Sequence, residues 1–130
     1  MIRTIAFATA LLASTTAHAE TFAIQAGRLI VDAAKPALGP STVIVENKRI
    51  VRIESGATAP AGAIVVDMSS KTVMPGLIAA ELLGISGETD TLDVGKSADL
   101  IAIDGDPLTD VGALMKIRYV MAAGRVVPMK

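Results

Sequence analysis

The chain has 130 residues, 52% of them hydrophobic, 19% charged and 2% aromatic, with a formal net charge of −1 and no cysteine. That is material for one domain at most. Scattered basic residues, with Phe22 and Tyr119 the only aromatics beyond residue 19, give neither the charged footprint nor the stacking platform of a nucleic-acid binder; the lack of cysteine excludes disulfides, thiol nucleophiles and a cysteine-linked lipid anchor.

The first nineteen residues have the three-part form of a secretory signal. Arg3 supplies the positive charge, Ile5 to Ala13 the apolar run, and Ala17-His18-Ala19 a small-x-small cleavage site. A membrane anchor needs about 20 apolar residues, and this run is broken earlier by Ser14, Thr15 and Thr16. Cleavage after Ala19 leaves 20–130 with a net charge of about −2, no membrane attachment, and enough chain for a modest core. The expected destination is the periplasm or the outside of the cell.

From Thr21 to Asp32 two apolar runs flank Gly27-Arg28, which predicts two strands or one strand bent at the glycine. Ala33 to Ser41 carries Lys35-Pro36 and Gly39-Pro40 and is expected to be a loop. Thr42–Glu46 and Arg49–Glu54 are β-branched runs around Asn47-Lys48, a hairpin whose Asn47 tolerates positive φ. In its second arm, strict alternation sets Ile50 with Arg52 on one face and Val51 with Ile53 on the other. Ser55 to Gly62 is a second loop. Ala63 to Asp67 reads as a strand, Met68-Ser69-Ser70 as a turn, and Lys71 to Met74 as another strand stopped by Pro75-Gly76.

Residues 77–83 predict one or two helical turns ended by Gly84, followed by a polar loop. Leu100 to Ile103 is short and apolar enough for a buried strand. Gly105-Asp106-Pro107 ends it, and a helical turn over Leu108 to Met115 takes Thr109 as N-cap. Ile117–Ala122, the turn Ala123-Gly124 and Arg125–Val127 make a closing hairpin. Short strands separated by turns every ten residues or so predict a mainly β domain, a small antiparallel β-sandwich with one or two short helices.

Two blocks of wording carry a family resemblance. GRLIVD, VIVENKRIVRI and VDMSSKTVMPGLI lie in order up to Ile78, and AAELLG, TLDVGKSADLIAIDGDPLTDV and IRYVMAAGRVV follow from Ala79. Both blocks resemble the metal-dependent amidohydrolases, nearest to the exported imidazolonepropionase and Xaa-Pro dipeptidase-like members; GKSADLIAIDGDPL at 95–108 is the most specific phrase. In that family a catalytic (β/α)8 barrel, typically about 250 residues, separates the two blocks and opens with a His-x-His metal motif. Here Ile78 runs directly into Ala79. The resemblance therefore implies an amidohydrolase's composite β domain, assembled from 20–78 and 79–130, with the barrel missing. It further implies that the points where the barrel left and returned are close together.

The family's hydrolysis of carbon–nitrogen bonds needs one or two divalent metals, commonly zinc, held mainly by histidines. The only histidine is His18, within the expected signal, so neither a metal site of that type nor a Ser-His-Asp triad can be assembled from 20–130. No catalytic, cofactor-binding or metal residue is assigned, and no cofactor is expected. Weaker constellations have structural readings. Asp104-Gly105-Asp106 with Asp110 is spaced to gather oxygens round calcium, yet lacks the EF-hand pattern and reads as a strand-ending turn. Glu88, Asp90 and Asp93 read as a solvated loop rather than an acid–base pair, Lys96-Ser97 as a turn rather than a Ser-Lys nucleophile, and Gly84 and Gly87 match no phosphate or dinucleotide loop. Met74, Met115 and Met121 read as core fillers. The functional expectation is an inert amidohydrolase-type domain. Its alternatives are a secreted interaction or oligomerisation module, associating with itself or docking onto an intact relative through Leu77, Ile78, Leu82 and Leu83, and a deletion product or incomplete gene record.

Overall fold

A computed structural model describes residues 19–76 and 91–130. The expected signal peptide, the helical phrase at 77–83 with its apolar surface, and Gly84, Gly87, Glu88 and Asp90 lie outside the described residues. The fold is mainly β: β1 (Thr21–Leu29), β2 (Ser41–Glu46), β3 (Arg49–Ser55), β4 (Ile64–Pro75), β5 (Leu100–Ile103), β6 (Ile117–Ala122) and β7 (Arg125–Val126), with a 3-10 helix at Val111–Met115 between β5 and β6. They form one sheet in the order β3-β2-β1-β4-β5-β6-β7.

All strand pairs are antiparallel except β1 with β4, which run parallel. The β2–β3 hairpin supplies the crossover that such a pair requires. The sheet curls until β3 meets the segment before β5: Arg49 bridges Ser97, and Ala98 donates to the Lys48 carbonyl at 2.9 Å. Phe22, Ile24, Val43, Val45 and Ile50 from one half thereby share a core with Leu100, Ala102, Tyr119 and Met121 from the other. Each large aliphatic side chain so buried contributes about 1.5–3 kcal/mol. A smaller cluster of Ile30, Met74, Ile103 and Ala113 also forms.

Both hairpin turns follow their sequence. Asn47 and Lys48 have φ of 49° and 69°, and Ala123 and Gly124 have φ of 48° and 70°, the doubly left-handed turn that matches strand twist. Thr21 to Leu29 is one strand bent at Gly27, with a register shift between Ala26 and Arg28.

Four local expectations are corrected. Met68-Ser69-Ser70 does not reverse the chain: β4 is continuous, and its surplus residues bulge opposite Gly27, where the absent side chain lets the Ser69 carbonyl approach. Asp67 accepts from the Ser69 amide at 3.0 Å inside this irregularity. In β3, Val43 faces Ile53 and Val45 faces Ile50, with the register shifting between. The extra residue turns Ile50 and Ile53 toward the same core and leaves Arg52 exposed. The helical turn at Val111–Met115 is a 3-10 helix capped by Asp110, whose Oδ1 accepts from the Gly112 amide; the Thr109 hydroxyl donates to the Asp106 carbonyl instead. Met74 and Met121 are buried, but Met115 is 88% exposed at the end of that helix.

Candidate functional site

Among the described residues the acidic turn after β5 gathers several charged side chains, and each of its carboxylates is engaged. Asp104 receives Lys71 Nζ at 2.5 Å and Arg118 Nε on its two oxygens. Asp106 pairs with Arg28 at 3.2 Å and accepts from the Leu108 amide at 2.9 Å. Asp110 is occupied in capping. Thr72, buried in β4, donates its hydroxyl to the Gly105 carbonyl at 2.7 Å and fastens the turn to the sheet. Three cationic side chains against Asp104 and Asp106 make this a poor seat for calcium, whose ligands must be available and collectively anionic. Among the described residues no three His, Cys, Asp or Glu side chains converge in a way that could hold a metal, so the divalent ion that the resemblance implies has no fitting donor set here.

Hydrogen bonds from Lys71 and then Arg118 hold the Asp104 carboxyl below its ordinary value, outweighing the opposing effect of desolvation. Because the folded value is the lower one, its contribution to stability is fully present above about pH 4 and is lost as pH falls through the folded value. Asp104→Asn is therefore expected to reduce the difference in melting temperature between about pH 7 and pH 3, measured by circular dichroism against the unaltered chain. An unchanged difference would show that the ion pairs carry no folding linkage.

The other candidates are separated from this turn in the fold. Asp93 accepts from Thr91 Oγ1 at 2.6 Å and closes a small loop with Lys96 Nζ at 3.8 Å. Ser97 lies in the bridge to Arg49, and the Lys96 carbonyl accepts from the Ile50 amide at 2.9 Å, so both residues of the Lys96-Ser97 pair belong to the contacts that close the sheet. A shallow depression of about 290 Å³ is lined by Leu38, Gly39, Pro40, Ser41, Ile53, Glu54 and Ser55; its one carboxylate, Glu54, takes the Thr58 hydroxyl and pairs with Arg52.

Two features escaped the sequence reading. Tyr119 buries its hydroxyl in the core without a hydrogen-bond partner, and burial pushes its pKa up. A phenol in an alternating strand gives no sequence signal that distinguishes it from a phenylalanine. The cation partners of Asp104 and Asp106 come from β1, β4 and β6, and only the strand register brings them together; the alternation of Arg118 with buried Tyr119 was the available clue.

The described residues on either side of 77–90 are tied into one region of the sheet. Gly76 donates its amide to the Asp99 carbonyl at 3.1 Å where β4 ends beside the start of β5. The returning chain is held by Leu92, whose amide reaches the Val31 carbonyl at 2.8 Å, while the neighbouring Ile30 donates to Val73 at 2.9 Å. Val73 before the 77–90 connection and Leu92 after it are thus held by the consecutive residues Ile30 and Val31, just past β1. No protein-family model matches the chain, and no curated protein matches it significantly.

Proposed function

We propose that the chain is the composite β domain of an amidohydrolase-type protein, exported to the periplasm or beyond, and that it hydrolyses no carbon–nitrogen bond by itself. The observation that carries this reading is that the described flanks of 77–90 are tied into the same sheet: Gly76 is hydrogen-bonded to Asp99, and Leu92 to Val31, whose neighbour Ile30 is bonded to Val73. A domain whose wording resembles the two flanks of a missing barrel needs that geometry, since both flanks must complete one sheet with or without an insert. The chemistry agrees, because residues 20–130 contain no histidine or cysteine and the acidic turn is neutralised by its own cations.

The purified chain, supplied with zinc and a panel of N-acyl amino acids, cyclic amides and Xaa-Pro dipeptides, is expected to release product no faster than buffer. Turnover that tracks the folded protein on a sizing column, whether or not a chelator removes it, would overturn the reading. Sequencing the source locus tests its genetic half: a barrel-encoding segment between the codons for Ile78 and Ala79 would restore an enzyme.

A further inference from the structure

Among the described residues the outermost strand, β3, is only partly covered. Ile50 exchanges backbone hydrogen bonds with Lys96 and Gly95 at 2.9 and 2.7 Å, and Arg49 bridges Ser97. Beyond them, Arg52 to Ser55 pairs with β2 on one side, Val51 being the bulged residue without a partner there, and no described strand lies on the other. A strand edge of this kind presents backbone groups ready for another chain.

The residues on this edge suit a particular partner. Val51-Arg52-Ile53-Glu54-Ser55, laid antiparallel against itself about Ile53, sets Arg52 opposite Glu54, Glu54 opposite Arg52, Val51 opposite Ser55 and Ile53 opposite Ile53. Arg52 and Glu54 already share a face, Nε to Oε1 at 3.4 Å, so the pairing would alternate two cations and two carboxylates around a two-fold axis. Directly opposed unlike charges stabilise a strand pair, and like charges destabilise it. On the other face, half-buried Ile53 packs against the core and borders the depression beside Leu38 and Pro40; Leu38 is 43% exposed. The remaining edges suit pairing less: β7 has two residues, and the free half of β4 runs into its bulge at Ser69–Lys71 beside Asp67.

We propose that the partner of this edge is a second copy of the chain, docked antiparallel along Val51–Ser55 about a two-fold axis at Ile53, with reciprocal Arg52–Glu54 pairs. Such a contact is isologous and closes at two copies. It does not depend on the family reading, since it uses only the edge and its charges.

Sedimentation velocity and light scattering on the purified chain, up to about 1 mM, should show the mass rising from monomer to dimer. Arg52→Glu places four carboxylates around the axis and Glu54→Arg four guanidinium groups; each should weaken dimerisation by about tenfold. The double variant Arg52→Glu/Glu54→Arg recreates the unlike pairs and should return the dissociation constant to within about threefold of the original. Circular dichroism verifies folding, and two opposite single reversals keep the test available if one misfolds. A chain that stays monomeric throughout, a dimer indifferent to either reversal, or a double variant as weak as the singles would each overturn the proposal. Indifference would move the contact to another surface, such as exposed Leu108, Val111 and Met115.

Discussion

Replacing Gly27 by alanine is expected to destabilise the fold by about 3 kcal/mol and to lower its melting temperature by more than about 10 °C. A Cβ at Gly27 would stand 2.8 Å from the Ser69 carbonyl carbon, closer still to its oxygen, and 3.4 Å from the Lys71 oxygen. All three are backbone atoms of the β4 bulge. They are held by Ala26 paired with Met68 on one side and Arg28 paired with Thr72 on the other. Moving them would break the only parallel pair in the described sheet, so the clash cannot be relieved by a side-chain rotation. Gly39→Ala is the control: a Cβ there meets nothing within 4 Å, and its effect should stay within about 0.5 kcal/mol. Urea and thermal melts measure both. A loss below about 1 kcal/mol at Gly27 would mean that the bulge is soft and the register between β1 and β4 is not fixed by that glycine.

Gly124→Ala is expected to cost about 3 kcal/mol, through two separable causes. The first is conformational: at φ +70° an L-residue carries a penalty of about 1 kcal/mol. The second is contact, since a Cβ would sit 3.2 Å from both the nitrogen and the carbonyl carbon of Lys48 and nearer to its Cα, adding about 1–3 kcal/mol. Gly62→Ala isolates the first cause, because Gly62 has φ +78° but nothing within 4 Å; it should lose only about 1 kcal/mol. The two hairpin turns touch here and share a strap in which Ala98 donates to Lys48, Gly124 donates to Ala98, and Ala123 donates to the Asp99 carboxylate. Gly124→Ala should therefore speed hydrogen exchange at the Ala98 and Gly124 amides more than at the Ile24 amide in β1. Equal effects of the two alanines on stability would show that the turns do not press together.

Local features were legible wherever residue type fixes backbone shape. Asn47-Lys48 and Ala123-Gly124 announce their hairpins because left-handed turns admit few residues, and Leu100–Ile103 announces a buried strand by its brevity between breakers. What stayed hidden depends on partners distant in sequence. Ser69 and Ser70 are ordinary turn formers, and only Gly27 in a strand some forty residues earlier makes them a bulge. The same holds for Val51, whose extra place in β3 reverses a facing pattern that is correct for an unbroken strand. Asp110 displaces Thr109 as cap because the 3-10 helix begins at Val111, which puts Asp110 at the flanking position. At the candidate site the acidic turn was legible as a turn, but its neutralisation by Arg28, Lys71 and Arg118 required the register of several strands.

The placement of β4 between β1 and β5 has a consequence for how the chain acquires its shape. The β2–β3 hairpin closes locally, but β1 gains its second neighbour only as Ile64 to Val73 is made, and β4 gains its own only after Leu100 follows. Until then the apolar face of the first three strands has no opposite wall. Such late, non-local pairing slows folding toward the millisecond-to-second range and leaves nascent chains prone to associate with one another. Emergence from the ribosome, N-terminus first, is therefore the phase in which this polypeptide is most prone to associate.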